Sequence, residues 1–272
     1  MRHNFFDSLM HIKTDLLWYK TQRLADPKAI LEFYNHEEIK GAVITCMPDD
    51  DPKLIAHIIE SELQFCNLII SVKSEWLGFS EIELFNLFDR FKVDFRCIGI
   101  KLHPRFSKIS LNDVSLVDRF IGVAHKCGLL VYVCTILRSP VGPNAVPIHY
   151  QIARIAERNT SGDIVFLHGG YTDLFSTGEV IRDYPHAWLD LSFTFMRFRK
   201  SSLALDCGYL LETLDQKIII GTDFPEYTPQ ELFDALDYYV FSRRDLQLTD
   251  EKISNALCNN IESLVNKYGK KN

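Results

Sequence analysis

Four short apolar runs that each end on a polar side chain constrain this chain more than any other feature. The clearest is Ile218-Ile219-Ile220-Gly221-Thr222-Asp223-Phe224-Pro225, which delivers a carboxylate at the tip of a β-branched run just before a turn-forming proline. Leu129 to Cys134, Ile164 to His168 followed by Gly169-Gly170, and Phe5 to Met10 followed by His11 end in the same way. A parallel sheet covered on both faces reads as short, continuous apolar runs, and such sheets place their chemistry at C-terminal strand ends. The sequence therefore points to a site before it points to an activity.

Apolar runs alternate with amphipathic stretches along the whole chain, the pattern of repeated strand-helix units around a parallel sheet. Eight strands are expected: Asn4 to Met10, Gly41 to Cys46, Leu68 to Val72, Cys97 to Lys101, Leu129 to Cys134, Ile164 to Leu167, Ala187 to Leu191 and Lys217 to Gly221. Helices are expected at Lys53 to Phe65, Glu81 to Phe91, Asn112 to Cys127, Pro147 to Arg158 and Ser201 to Thr213. Asp51-Pro52 and Ser80 open the first two as caps. Asp15 to Lys40 reads as a loop plus one helix over the sheet's end, and Pro229 to Phe241 and Thr249 to Tyr268 as last helices on the outside. With 272 residues against about 250 for an α/β barrel, the expectation is one (β/α)8 TIM barrel domain spanning 1–272.

Composition narrows the partners. A net charge of -6 with mixed signs argues against a nucleic-acid or anionic-membrane surface, which leaves a small-molecule substrate. The alternation of Phe193 to Lys200, aromatic and basic in turn, reads on an acidic chain as a pocket wall or packed loop. The seven cysteines form no CxxC pair and no metal-finger spacing, which suits small core thiols in a reducing, cytoplasmic setting. A strand starting by Phe5 leaves no room ahead of it for a secretion signal. Nothing in the residues decides whether the chain forms a homo-oligomer.

Side chains two apart on a strand face the same way. An inward His11 brings Leu9 and Asp7, an inward Cys134 brings Tyr132, His168 brings Phe166, Asp223 brings Gly221, and His103 brings Lys101 and Gly99. His11, His168 and Asp223 form a ligand set suited to zinc, iron or manganese, with Cys134 as a soft fourth ligand. A bound zinc lowers the pKa of its water to about 7; Asp223 could instead serve as general base. Asp7 and Lys101 could pair as buried charges, and Lys101 could equally meet an anionic substrate group. Taken alone, a histidine at a strand end is more often a capped or surface residue than a ligand.

At these residues the chain resembles the amidohydrolase superfamily, in its amidohydrolase-related branch with the aminocarboxymuconate-semialdehyde decarboxylase-like enzymes. The landmarks run in order through Phe6-Asp7-Ser8-Leu9-Met10-His11, Gly99-Ile100-Lys101-Leu102-His103-Pro104 and Phe166-Leu167-His168-Gly169-Gly170. They continue through Leu189-Asp190-Leu191-Ser192, Gly221-Thr222-Asp223-Phe224-Pro225 and the tail from Asn255 to Tyr268. The resemblance implies a metal held by a His-x-His pair on the first strand, histidines on the fifth and sixth, and an aspartate on the eighth. Carried over, these are His11, Cys134, His168 and Asp223. Leu9 stands where the first histidine of the pair belongs and Cys134 where the fifth-strand histidine belongs, so the metal site is degenerate, and His103 is a substitute ligand.

Three readings follow from the resemblance. One is a hydrolase of C–N or C–O bonds in a small carboxylated or carbonyl-bearing substrate, using metal-activated water, or a decarboxylase. His168, Asp223 and Lys101 carry the chemistry, and Lys101 or Arg138 orients an anion. The second drops the metal, as lactonase-like members do, with Lys101 and His168 stabilising an oxyanion. The third is a pseudoenzyme that binds or regulates.

Overall fold

The computed structural model describes residues 3–13, 18, 21–136 and 146–269. Eight strands stand in sequence order, β1 (Phe5–Met10), β2 (Ile39–Cys46), β3 (Cys66–Ser71), β4 (Cys97–Leu102), β5 (Leu130–Cys134), β6 (Ile164–Leu167), β7 (Ala187–Asp190) and β8 (Ile218–Ile219). Every neighbouring pair from β1 to β8 is parallel. The last strand meets the first through Asp223 N donating to Leu9 O at 2.9 Å and His11 N donating to Phe224 O at 2.8 Å. The expected (β/α)8 barrel is what the chain forms, and the strand bounds fall within about two residues of those read from the sequence.

The helices between strands begin where their caps stand. Asp51 accepts from Lys53 N before Pro52–Ser61, and Ser80 with Glu83 forms a capping box before Glu81–Phe95; a cap of this kind is worth about 1 kcal/mol. The segment after β1 does contain one helix, Pro27–Tyr34. Leu174–Arg182, between β6 and β7, and the short Thr194–Phe198 after β7 are further helices that no cap or apolar period in the sequence announces.

The core has two compartments. Phe6, Leu9, Val43, Ile69, Ile98, Leu130, Tyr132, Val165, Leu167 and Ile219 fill the barrel interior, while Phe5, Met10, Ile44, Ile70, Ile100, Val133, Phe166 and Ile218 face the helices. The final helix corrects an expectation. Ile261, Leu264 and Val265 belong to the interior compartment, so Asn260–Tyr268 closes the N-terminal end of the barrel and does not lie outside it. Its spacing i, i+3, i+4 makes one apolar stripe, and the open barrel end is the surface that can bury it. Asn260 Nδ2 donates to Ile218 O at 2.7 Å, and Tyr268 Oη donates to Asp163 at 2.9 Å.

Two orientations also differ from simple alternation. Phe166 faces out and Leu167 in, because His168 turns at φ 67° and the count of two does not carry across that turn. Asp7 pairs in register with the outward Ala42, and pairing is irregular between Asp7 and Met10. Its carboxylate therefore leaves the interior and never meets Lys101. It accepts hydrogen bonds from Tyr34 Oη at 2.5 Å, Thr222 Oγ1 at 2.6 Å, Thr222 N at 3.0 Å and Leu9 N at 3.1 Å. One buried carboxylate thus ties β1 to the segment after β8 and to the first helix.

Burial pushes the Asp7 carboxyl from 3.8 up to about 6, against the downward pull of those hydrogen bonds. Between these values the folded chain keeps a proton that the unfolded chain has lost. Stability from this group is therefore present below pH 3.8 and lost as pH rises through about 6, an effect of about 3 kcal/mol. Urea unfolding at pH 4 and pH 7 should show a smaller loss over this range in Asp7→Asn than in the wild type. Equal losses in the two proteins would remove Asp7 as the cause.

Candidate active site at the C-terminal barrel mouth

Each site residue stands where an apolar strand stops. His11 follows β1, is buried, and places Nδ1 2.8 Å from the carbonyl of Thr45 on β2. A carbonyl only accepts, so Nδ1 carries the hydrogen and Nε2 is the free position. His11 Nε2 lies 3.4 Å from Asp223 Oδ1. A bare lone pair facing a carboxylate is repulsive, so either a proton on Nε2 or a cation between the two atoms makes this arrangement favourable.

His168 repeats the pattern. Its Nδ1 lies 3.1 Å from Ser192 O, so the hydrogen sits on Nδ1 and Nε2 presents a lone pair. Burial lowers its pKa to about 4, more strongly than Asp223 raises it, so the imidazole is neutral at pH 7. A neutral histidine whose Nδ1–H is held by backbone is the form that binds metals. The same tautomer has no Nε2–H for an oxyanion, which counts against the donor role that the metal-free reading gives His168.

Asp223 sits at φ 56° and His168 at φ 67°, a left-handed region that costs non-glycine residues energy and clusters at functional sites. Gly221 makes the approach of β8 to β1 possible: a Cβ there would lie 2.6 Å from Ser8 Oγ and 2.7 Å from Leu9 N. Burial raises the Asp223 pKa, but the hydrogen bond from His11 and the charges of His168, His11 and Lys101 outweigh it and hold the carboxyl below its usual range. Asp223 is ionised at neutral pH.

Lys101 on β4 is 1% exposed, and no described residue gives its Nζ a hydrogen bond or ion pair. Burial lowers its pKa, opposed by Cys134, Asp223 and Asp190. The Cys134 thiol is pushed up by burial in spite of Lys101, so it remains protonated unless a metal takes the sulfur. His103 caps Pro104–Ser107, with Phe106 N 3.4 Å from Nδ1. Burial, followed by the charge of Lys101, holds it well below the usual imidazole range.

Residues with no role in the sequence reading support these side chains. Asp190 accepts from Ser8 Oγ at 2.5 Å, His168 N at 3.2 Å and Ser192 N at 3.1 Å, and also from Ser192 Oγ. It orients both His168 and the serine whose carbonyl sets the His168 tautomer. Its position at the end of Leu189-Asp190-Leu191-Ser192 was the available signal: another apolar run with a polar tip. Trp18 stacks on His11 with ring centroids 5.2 Å apart and planes 15° from parallel, and its Nε1 donates to Glu226 Oε1 at 3.1 Å. Nothing in the local sequence marks Trp18, because the contact joins a loop to a strand end.

The aromatic and basic stretch after β7 is a wall beside His168. The Phe193 ring lies 6.0 Å from that of His168 and 6.3 Å from that of Tyr227, and Arg197 Nε donates to Tyr171 Oη at 3.2 Å. Arg138, the alternative anion partner, lies outside the described residues.

For a divalent metal, the donor types of His11, His168 and Asp223 fit: two imidazoles with Nδ1 tied to backbone carbonyls and one ionised carboxylate. Spacing is looser, since among the described residues no group of three or more His, Cys, Asp or Glu side chains is close enough to hold an ion. Among the same residues no helix is long and apolar enough to cross a membrane, and all seven cysteines are free and buried.

No family model matches the chain, and no curated protein does. Solved structures do. An uncharacterised TIM-barrel protein from Bordetella bronchiseptica superposes with a TM-score of 0.74 at 13% identity, over 98% of this chain and 100% of that one. A probable 2-pyrone-4,6-dicarboxylic acid hydrolase from Acinetobacter baumannii, with citric acid bound, gives 0.67 at 14% identity over 97% and 99%. An amidohydrolase from Burkholderia multivorans with bound zinc gives 0.60 at 11% identity over 98% and 100%. At such identities the likeness is one of fold, and the chain is a (β/α)8 barrel of the architecture these structures share.

Proposed function

We propose that this protein is a hydrolase of the amidohydrolase type, cleaving a C–N or C–O bond in a small carboxylated or carbonyl-bearing substrate. The observation that carries the reading is the pair of histidines, His11 and His168, each with Nδ1–H donated to a backbone carbonyl and one with Nε2 against the ionised Asp223. The full-length likeness in fold to a probable pyrone dicarboxylic acid hydrolase and to a zinc-bound amidohydrolase supports it.

In this reading His11, His168 and Asp223 would hold a divalent metal, zinc by donor chemistry, with Cys134 as a fourth ligand. Such a metal, when bound, would supply Lewis-acid polarisation of a water and of the substrate carbonyl. Asp223, ionised at neutral pH, accepts the proton of the attacking water and returns it to the leaving nitrogen or oxygen. Lys101, buried and without an ion-pair partner among the described residues, offsets negative charge on the substrate. Trp18 and Phe193 cover His11 and His168 and limit access of bulk water.

The first test is metal content. Protein purified without chelator is expected to hold near-stoichiometric zinc, iron or manganese, and zinc added to the stripped protein should raise its melting temperature. At free zinc 100 times its Kd the stabilisation is about 2.7 kcal/mol. The double variant His168→Ala, Asp223→Asn should show neither effect. Failure of the wild-type protein to take up metal after reconstitution would remove the metal from the reading.

A further inference from the structure

We infer that Thr45, Ser71 and Lys101 form a carboxylate-binding cradle on the inner wall of strands β2 to β4. The inference deepens the hydrolase reading by naming where the substrate's acid group sits.

Thr45 Oγ1 and Ser71 Oγ are buried side-chain oxygens with no hydrogen-bond partner, the two oxygens among four such polar atoms in the described residues. Both residues are 0% exposed and Lys101 is 1% exposed. Register puts them on one surface: Thr45 pairs with Ile69, Ile69 with Gly99, and Ser71 with Lys101. In-register neighbours on a sheet share a face. Ile69 belongs to the interior compartment, as does Tyr132, the register partner of Lys101. All three polar groups therefore point into the barrel, on adjacent strands, towards its C-terminal end.

Buried hydroxyls and ammonium groups are normally satisfied, because each one left unmade keeps its full desolvation penalty. Two orphaned hydroxyls on the wall that also carries the buried Lys101 are more than packing alone explains. The donor inventory is two O–H groups, free to rotate, and an ammonium with three N–H donors and a single positive charge. A carboxylate matches it: one negative charge, two oxygens and lone pairs for three or four donors. A phosphate dianion would bring a second charge and more acceptor sites than the three groups can meet.

Position links the cradle to the reacting groups. The carbonyl of Thr45 is the acceptor for His11 Nδ1, so an acid held by the Thr45 hydroxyl lies beside the imidazole that faces Asp223. The bond to be cleaved must then be a short distance from the acid, which selects a compact substrate.

Isothermal titration at pH 7 with glutarate, its monoamide and its diamide tests this. The stripped wild-type protein is expected to bind glutarate and the monoamide at least about tenfold more tightly than the diamide. The double variant Thr45→Val, Ser71→Ala should weaken glutarate by about tenfold or more, and Lys101→Met should abolish its binding. The free double variant should melt no lower than the wild type, since it loses two buried hydroxyls that have no partner. Equal glutarate affinity in wild type and double variant, no detectable glutarate binding by the wild type, or a lowered melting temperature of the free variant would each overturn the cradle. Zinc uptake by the double variant is read in parallel: its retention with loss of glutarate binding separates the two claims, and its loss in the wild type would count against the hydrolase reading alone.

Discussion

Asp190→Ala is expected to destabilise the protein by about 3–5 kcal/mol, the scale seen when one member of a buried, fully bonded charged cluster is removed. The carboxylate accepts from Ser8, from the His168 peptide and twice from Ser192, so the substitution strands four donors in a place that water does not reach. Urea unfolding at pH 7 measures the loss, and a cost under about 1 kcal/mol would contradict the assignment. Asp190→Asn should recover only part of it, because its amide presents hydrogens to groups that are themselves donors. Zinc binding should weaken in both variants, since Ser192 O and Asp190 together fix the tautomer and place of His168. A variant that lost stability but kept full zinc affinity would show that Asp190 braces the barrel without orienting the site.

Asp223→Asn should lower turnover by about 10²–10⁴, the range expected for loss of a general base. The asparagine keeps the size of the side chain and its hydrogen-bonding reach, so folding should be little changed while the acceptor charge disappears. The assay is turnover on a panel of lactones and small carboxylated amides, with melting temperature as the control for structure. His168→Ala should fall at least as far. Undiminished turnover in Asp223→Asn, on any substrate the wild type cleaves, would end the proposed mechanism.

The barrel was legible because its determinants are local. Each strand is a β-branched run such as Ile218-Ile219-Ile220 or Leu130-Val131-Tyr132-Val133, and burial on both faces leaves no polar interruption to confuse it. Strand ends with a histidine or aspartate identified His11, His168 and Asp223 by the same logic, since a polar side chain just past a buried strand can only lie at the barrel's end. What failed was inference across a break in regular backbone. Counting by two put Phe166 and Asp7 inside, whereas the turn at His168 and the irregular pairing of β1 put them outside. The final helix was assigned to the outer layer because its apolar stripe looks the same whether it covers a sheet face or the end of a barrel.

The sequence by itself thus determined the succession of eight strands and the placing of His11, His168 and Asp223 at their C-terminal ends. Only the tertiary structure decided which nitrogen of each histidine is free, because that depends on carbonyls of Thr45 and Ser192 contributed by other strands. It also decided that Asp7 braces the closing seam and that Lys101 shares an inner wall with Thr45 and Ser71. Those facts follow from strand register around a closed sheet, a relation among residues distant in the chain that no local pattern encodes.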